Sequence, residues 1–169
     1  MTATKTTSAE IEKILKAMAS DLQAFLKKRG RKKVAIIGIH TGGVKIAQRL
    51  HELLKIKEPL GELNIAFYRD DFSRIGMHPS VEPSNLAFDV DDRHIVLVDD
   101  ILYTGRTIRA ALNEIFDYGR PSSVTLAVLV DRTEQELPFK ADVVGTTMSL
   151  SDGEHVKLAG SKKLTLVTK

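Results

Sequence analysis

The chain has 169 residues, 43% hydrophobic and 28% charged, with no cysteine and a formal net charge of +3 at pH 7. That length suits one domain with a core of its own; the lack of cysteine excludes disulfides, thiolate metal sites and a Cys nucleophile, and so mild a positive charge is far from the footprint of a dedicated nucleic-acid binder. No apolar stretch approaches the roughly 20 residues needed to span a bilayer and the opening MTATKTTSAE lacks a signal-peptide core, so a cytoplasmic protein without membrane contact is expected.

From Ser8 to Lys28, Ile11, Ile14, Leu15, Met18, Leu22, Phe25 and Leu26 recur at three- and four-residue steps. That spacing predicts an amphipathic helix, opened by a Thr7/Glu10 capping box and closed by Gly30. The cations of KKRGRKK, residues 27–33, suit the carbonyl end of this helix, with RNA contact as the other use of such a run. VAIIGI (34–39) is a short continuous apolar run and reads as a buried strand entering the HTGG loop, with a helix over 44–54 beyond it. Leu63 to Tyr68 is strand-like. Residues 70–93, with Gly76, Pro79 and Pro83, hold no period and are longer than an ordinary connection, which predicts a flexible lid. HIVLVDD is a second buried strand, ILYTGRT a loop, and 107–118 a helix closed by Gly119 and Pro121. SVTLAVLVDR is a third buried strand. From Ala141 the tail alternates ADVVG, HVKLAG and KLTLVTK with polar turns, suggesting short strands in a small antiparallel cap.

Buried strands separated by helices predict an α/β fold, a mostly parallel central sheet with helices on both faces. Ligands of such sheets bind at the carboxyl ends of the strands. HTGG, DDILYTGRT and DRTEQ all fall there and can surround one crevice. YTGRT before a helix offers backbone N–H groups, hydroxyls and a helix N-terminus to a phosphate. It has neither the Walker A spacing nor G-x-G-x-x-G. Asp99 and Asp100 just ahead of it can accept from the vicinal hydroxyls of a sugar, directly or through Mg²⁺, which favours carboxylates plus ligand oxygens. Taken alone, VDD would equally end a strand and cap a turn; with the phosphate loop behind it, ribose 5-phosphate fits.

The string VLVDDILYTGRT resembles the fingerprint of the type I phosphoribosyltransferases, which bind 5-phosphoribosyl 1-diphosphate (PRPP). AFYRDDFSR, LYTGRTIRAAL, YGRPSSV, LAVLVDR and ELPFKADVVG extend the resemblance over nearly the whole chain, to the pyrimidine operon regulator family. Its members are uracil phosphoribosyltransferases and, often, mRNA-binding attenuation proteins. The resemblance implies one domain over 1–169, with the lid at about 70–93 closing on the site and a hood from about 141–169 over the carboxyl edge. It implies that Asp99 and Asp100 face the ribose hydroxyls and Mg²⁺, that Tyr103, Thr104, Gly105, Arg106 and Thr107 cradle the 5-phosphate, and that His40, Thr41, Gly42 and Gly43 hold the diphosphate. Arg69 becomes a catalytic partner of the departing diphosphate, while Arg132, Lys140 and, through its backbone, Val156 contact the base. Uracil, PRPP and UMP are the implied ligands, leader RNA a further partner, and a homodimer or dimer of dimers the implied assembly.

Three features qualify the resemblance. Enzymes of this fold that act on 6-oxopurines place an Asp where Tyr103 stands, so a phenol argues against purines. Many members carry T-R-G in the diphosphate loop, against Thr41-Gly42-Gly43 here, which leaves His40, Lys45 or the backbone alone to meet the charge. Attenuating members have basic residues where this chain has Thr133-Glu134-Gln135 and Gly145-Thr146-Thr147, and Lys16 and Ser20 replace a Thr and a His. Only Lys140 keeps its charge, so RNA affinity should be lower by orders of magnitude. Salvage of uracil to UMP is the leading expectation. A sensor of UMP or PRPP with weak catalysis that binds RNA or a protein, and transfer to another base, are the rivals.

Overall fold

The computed structural model describes residues 5–65 and 84–169. The three apolar runs become strands buried on both faces: β2 (Val34–Ile39), β4 (His94–Leu102) and β5 (Ser123–Asp131). β3 (Gly61–Leu63) and β6 (Val143–Thr147) complete a five-stranded sheet of order β3-β2-β4-β5-β6, parallel at every pairing. Helices α1 (Ser8–Lys28), α2 (Gly42–Leu54) and α3 (Arg106–Tyr118) cover it. Period-two alternation sorts the strand residues. Ile36, Val96, Val98, Ala127 and Leu129 share a core with Ile11, Leu15 and Leu22 of α1 and Ile46 and Leu50 of α2. Ile37, Ile39, Ile95, Leu97, Leu126 and Val128 pack on the other side with Ile108, Ala111 and Ile115 of α3.

The ends of α1 obey the expected chemistry. Thr7 Oγ1 accepts from Glu10 N–H at 3.3 Å and Glu10 Oε2 accepts from Thr7 N–H at 2.7 Å, while Gly30 (φ +59°) turns the chain out and donates to Lys27 O. Two cations of the 27–33 run have structural tasks. The Arg29 guanidinium lies 3.7 Å above the Phe25 ring centre, and Arg31 donates to the hydroxyl of fully buried Thr125.

The structure departs from the sequence reading in several places. α2 begins at Gly42 rather than residue 44, and β3 ends where Leu63 was expected to start a strand; residues 66–68 lie outside the described residues. Of the segment read as a lid, 70–83 also lies outside them. Its remaining residues are anchored: Asn85 and Glu62 exchange backbone hydrogen bonds of 2.7 and 2.8 Å, and Val90 is buried. ADVVG does not join an antiparallel cap. It forms β6, parallel to β5 with Ala127 opposite Val143, and α1 lies so close on it that a Cβ on Gly145 would stand 2.7 Å from Ile14 Cγ2 and 2.9 Å from Met18 Sδ.

The small antiparallel sheet does exist, with order β1-β8-β7: β7 (Val156–Ala159), β8 (Thr165–Thr168) and an unexpected third strand, β1 (Lys5–Thr6). Its Val156, Leu158 and Leu166 enter the same core as α1. Among the described residues, no helix is long and apolar enough to cross a membrane.

Candidate active site

β2 leads through α2 to β3 on one side of the sheet, whereas β4 leads through α3 to β5 on the other, with the two helices on opposite faces. The winding therefore reverses between β2 and β4, and a crevice opens beyond their carboxyl ends. β2 pairs with β4 only as far as Gly38 opposite Val98, while β4 runs on to Leu102. The acid pair thus sits inside the second half of the strand, not in the loop after it.

The 40–43 turn fills the place that β2 leaves. A Cβ on Gly43 would lie 2.6 Å from Val98 O and 3.0 Å from Asp99 Cα; one on Gly42 would lie 2.0 Å from Asp100 Oδ2. Only glycine lets the backbone approach the two acids this closely. Asp99 is buried, and its Oδ1 accepts from Asp100 N–H at 2.9 Å; Asp100 is half-buried, and its Oδ1 accepts from Ile101 N–H at 2.9 Å. These bonds fix both carboxylates against their own backbone and leave Asp100 Oδ2 at the face of Gly42.

Two helices start at this crevice, and neither has an acid in its first turn or a side-chain cap at its N-cap residue, Thr41 for α2 and Gly105 for α3. Apart from Arg106 N–H, which Thr104 Oγ1 accepts, the N–H groups that open these helices and the positive ends of their dipoles suit anions. α1, by contrast, is capped by Thr7 and Glu10. Gly105 holds φ +93°, and a Cβ there would also meet Phe139 Cδ2 at 3.1 Å. The Tyr103–Thr107 loop is braced from behind: Thr104 O accepts from Glu136 and Leu137 N–H at 2.9 and 3.0 Å, Thr104 Oγ1 accepts from Arg106 N–H at 3.2 Å, and Arg106 Nη2 pairs with Glu136 Oε2 at 3.1 Å. The role of residues 136–139 escaped the sequence reading, because bracing through backbone N–H groups leaves no mark on residue type.

Tyr103 is 45% exposed, and the Arg132 guanidinium lies 3.8 Å from its ring centre. Arg132 is itself buried; its Nη2 donates to Glu134 Oε2 at 3.1 Å, and its Nε is enclosed without a hydrogen-bond partner. Arg132 is therefore the floor under Tyr103, whose phenol is left exposed. Lys140 is exposed in the segment between β5 and β6, and the Val156 side chain points into the core from β7; neither stands among the residues of the 40–43 and 99–107 loops. Arg69 lies outside the described residues. Of the two side chains offered as substitutes for a missing arginine, His40 Nε2 stands 3.8 Å from Glu62 Oε1 and Lys45 Nζ donates to Gly160 O at 2.6 Å. Thr107 lies in the first turn of α3, partly exposed.

An acid pair between two helix N-termini, at the switch point of a doubly wound parallel sheet, defines an α/β protein with a crevice suited to an anionic ligand at the carboxyl ends of its strands. The chain belongs to the phosphoribosyl transferase family, whose domain model matches residues 7–159, and within it to the PyrR group. It is 58% identical over 159 residues to the bifunctional protein PyrR of Nitrosococcus oceani, covering 93% of this chain and 90% of that one, and 56% identical to that of Pseudomonas paraeruginosa, covering 92% of each. Among solved structures, the hypoxanthine phosphoribosyltransferase of Trypanosoma cruzi matches with a TM-score of 0.66 at 20% identity, over 89% of this chain and 82% of that one. At that identity the likeness concerns the fold.

Proposed function

We propose that the protein transfers the 5-phosphoribosyl group of PRPP to N1 of uracil, giving UMP and diphosphate. The observation that carries this reading is the acid pair lodged between two anion-seeking helix starts, with Gly42 pressed onto Asp100. The 5-phosphate takes the first turn of α3 and the diphosphate that of α2. The ribose bridges them over Asp99 and Asp100, which accept from its two hydroxyls. Two carboxylates together with ligand hydroxyl and diphosphate oxygens form the all-oxygen set that Mg²⁺ prefers. Asp99 and Asp100 would hold the ion, which would supply charge neutralisation for the diphosphate.

The displacement breaks the C1′–O bond to diphosphate as uracil N1 bonds to C1′, the N1 proton passing to an oxygen of the departing diphosphate, and positive charge develops at the ribose. Asp99 and Asp100 place negative charge beside the ribose, and the α2 N-terminus meets the diphosphate as it departs, so positioning and electrostatics carry the step. Arg69 belongs to this reading as a further cation for the diphosphate, and the lid expected over about 70–93 as the cover that excludes water from the cationic centre.

The fold is shared with hypoxanthine enzymes, so it does not select the base. Tyr103 does, offering a ring face and a phenol where a purine site needs a carboxylate. Arg132 holds that ring in place, and the backbone of the β7 strand at Val156, with Lys140, supplies the remaining base contacts. The same reading includes a cytoplasmic location and a homodimer or dimer of dimers, for which Phe116 and Tyr118, 56% and 48% exposed on α3, offer apolar surface. Sensing of UMP without turnover is favoured by one observation, the lack of an arginine in the 40–43 loop while Lys45 is bonded elsewhere.

Assaying diphosphate release with uracil, hypoxanthine, guanine and orotate decides between these readings. Release with uracil alone is the expected result. Release with none of the four, in a chain that still binds UMP, would leave the sensor standing and remove the enzyme.

A further inference from the structure

We infer that Lys45 is a positioning residue that ties the small sheet to the diphosphate loop, so that filling of the 40–43 turn is felt at β7 and β8. The inference rests on the reading just given for that turn and adds a connection to it. Lys45 stands one helical turn beyond Gly42, the residue pressed against Asp100. Its Nζ leaves the crevice and donates to Gly160 O at 2.6 Å, across to the turn between β7 and β8. That carbonyl is rigidly presented: Gly160 has φ +96°, and a Cβ there would stand 2.1 Å from Lys163 O, so the turn has no room for another residue.

Behind this bond the strands of the hairpin share a core with α2, Leu158 and Leu166 with Ile46 and Leu50, while the turn itself stands off the helix, beside α1. A cavity of about 310 Å³ lies between them, bounded by Glu12, Gln48, Arg49, Ser161 and Lys162 among others. Among the described residues, the Lys45 bond is the one side-chain hydrogen bond from α2 to residues 156–168. The same helix is tied to α1 one turn later, where Arg49 Nε donates to Glu12 at 2.9 and 3.1 Å. The strands of the hairpin are held by that common core, so what the Lys45 bond adds is to fix the Gly160 turn to the start of α2. The first turn of α2 carries the diphosphate-binding N–H groups, and β7 carries the base-side backbone. Lys45 therefore connects the two halves of the reaction site without touching either substrate, and it lies in a position where an arginine-poor loop would otherwise have recruited it to the diphosphate.

Amide hydrogen exchange on the full chain tests this, with Lys45→Met, Lys45→Arg and the parent compared. Without ligand, Lys45→Met should speed exchange across 156–168 by about fivefold or more, with Lys45→Arg restoring it; unchanged exchange there overturns the tie. With PRPP and Mg²⁺, the parent should gain protection at both 40–47 and 156–168, whereas Lys45→Met should gain it only at 40–47. Its kcat/KM for uracil should fall about fivefold while its PRPP dissociation constant stays within about twofold of the parent. A PRPP dissociation constant raised about tenfold with uracil KM unchanged would make Lys45 a direct diphosphate ligand and overturn the inference. A parent in which PRPP protects no segment overturns the functional reading instead, a result separate from the ligand-free comparison.

Discussion

A methyl group added at Gly42 strikes the far end of a side chain, while one added at Gly43 strikes backbone. At Gly42 the obstacle is the Asp100 carboxylate, which can swing aside by giving up its bond from Ile101 N–H; at Gly43 it is Val98 O and Asp99 Cα, which cannot move without β4. Gly42→Ala should therefore keep the melting temperature near that of the parent and lower kcat/KM for PRPP by about a hundredfold, the usual effect of displacing a positioned group by an ångström. Gly43→Ala should lose about 1–3 kcal/mol as well, seen as a fall of several degrees in a thermal melt. Equal melting temperatures for the two variants would contradict the placement of these contacts. Arg132 offers a second comparison at this scale. Arg132→Lys keeps the charge and loses the planar face beneath Tyr103. Uracil KM should rise about fivefold while PRPP binding is unchanged, since stacking of this kind is worth about 1 kcal/mol; a PRPP effect of equal size would place Arg132 at the phosphate side instead.

Between elements, α1 and α2 are joined by the Glu12–Arg49 pair, whose side chains are 37% and 34% exposed. Hydrogen bonds from Arg49 hold the Glu12 carboxyl below its ordinary value of 4.5, with burial opposing, and Glu12 in turn raises the already basic Arg49. A carboxyl whose folded pKa is depressed stabilises the fold above its unfolded pKa and loses that contribution as the pH falls through the folded value. Glu12→Gln should thus lower the melting temperature by about 1–2 °C at neutral pH, a small effect for so exposed a pair. The difference should shrink as the pH is taken down from 4.5, and a difference that persists in acid would mean that packing, not charge, was lost.

Elements were legible in the sequence where a pattern repeats within one of them. α1 shows its period and its capping box, and β2, β4 and β5 are continuous apolar runs. β1 has two residues, Lys5 and Thr6, whose pairing with Val167 and Leu166 is set at the other end of the chain. ADVVG reads the same in either sheet, and only α1 resting on Gly145 assigns it to the larger one. The acid pair and phosphate loop were legible as residue types. Their packing against Gly42 and the brace from 136–139 were not, because close approach and backbone hydrogen bonds belong to the tertiary fold.

At the scale of the whole molecule, regulation through RNA would need cations that are free to meet phosphates, and the positions in question are occupied by structural duties. Thr133 N–H and Gln135 Nε2 both donate to Asp131 Oδ1, at 2.8 and 3.0 Å, and Glu134 is paired with Arg132, so the TEQ turn serves to hold the floor under Tyr103. Thr146, where the resemblance implies the cation of the second stretch, is uncharged and pairs with Val130 in the sheet, beside the Gly145 on which α1 rests. Lys140 remains exposed. Each phosphate neutralised on single-stranded RNA contributes about −0.7 to the slope of log affinity against log salt. Few free cations mean a shallow slope and weak binding. In a filter-binding titration against pyrimidine-operon leader RNA with UMP present, the chain should bind with a slope of magnitude about 1–2, and Thr133→Arg combined with Gln135→Arg should steepen it by about one. Gln135→Arg also removes a bond to Asp131, so the same variant should show a raised uracil KM if that turn supports Arg132 and Tyr103. Tight, UMP-enhanced binding by the unaltered chain, with a steep slope, would mean that the contacts come from elsewhere, and the lysines of residues 27–33 would be the first place to look.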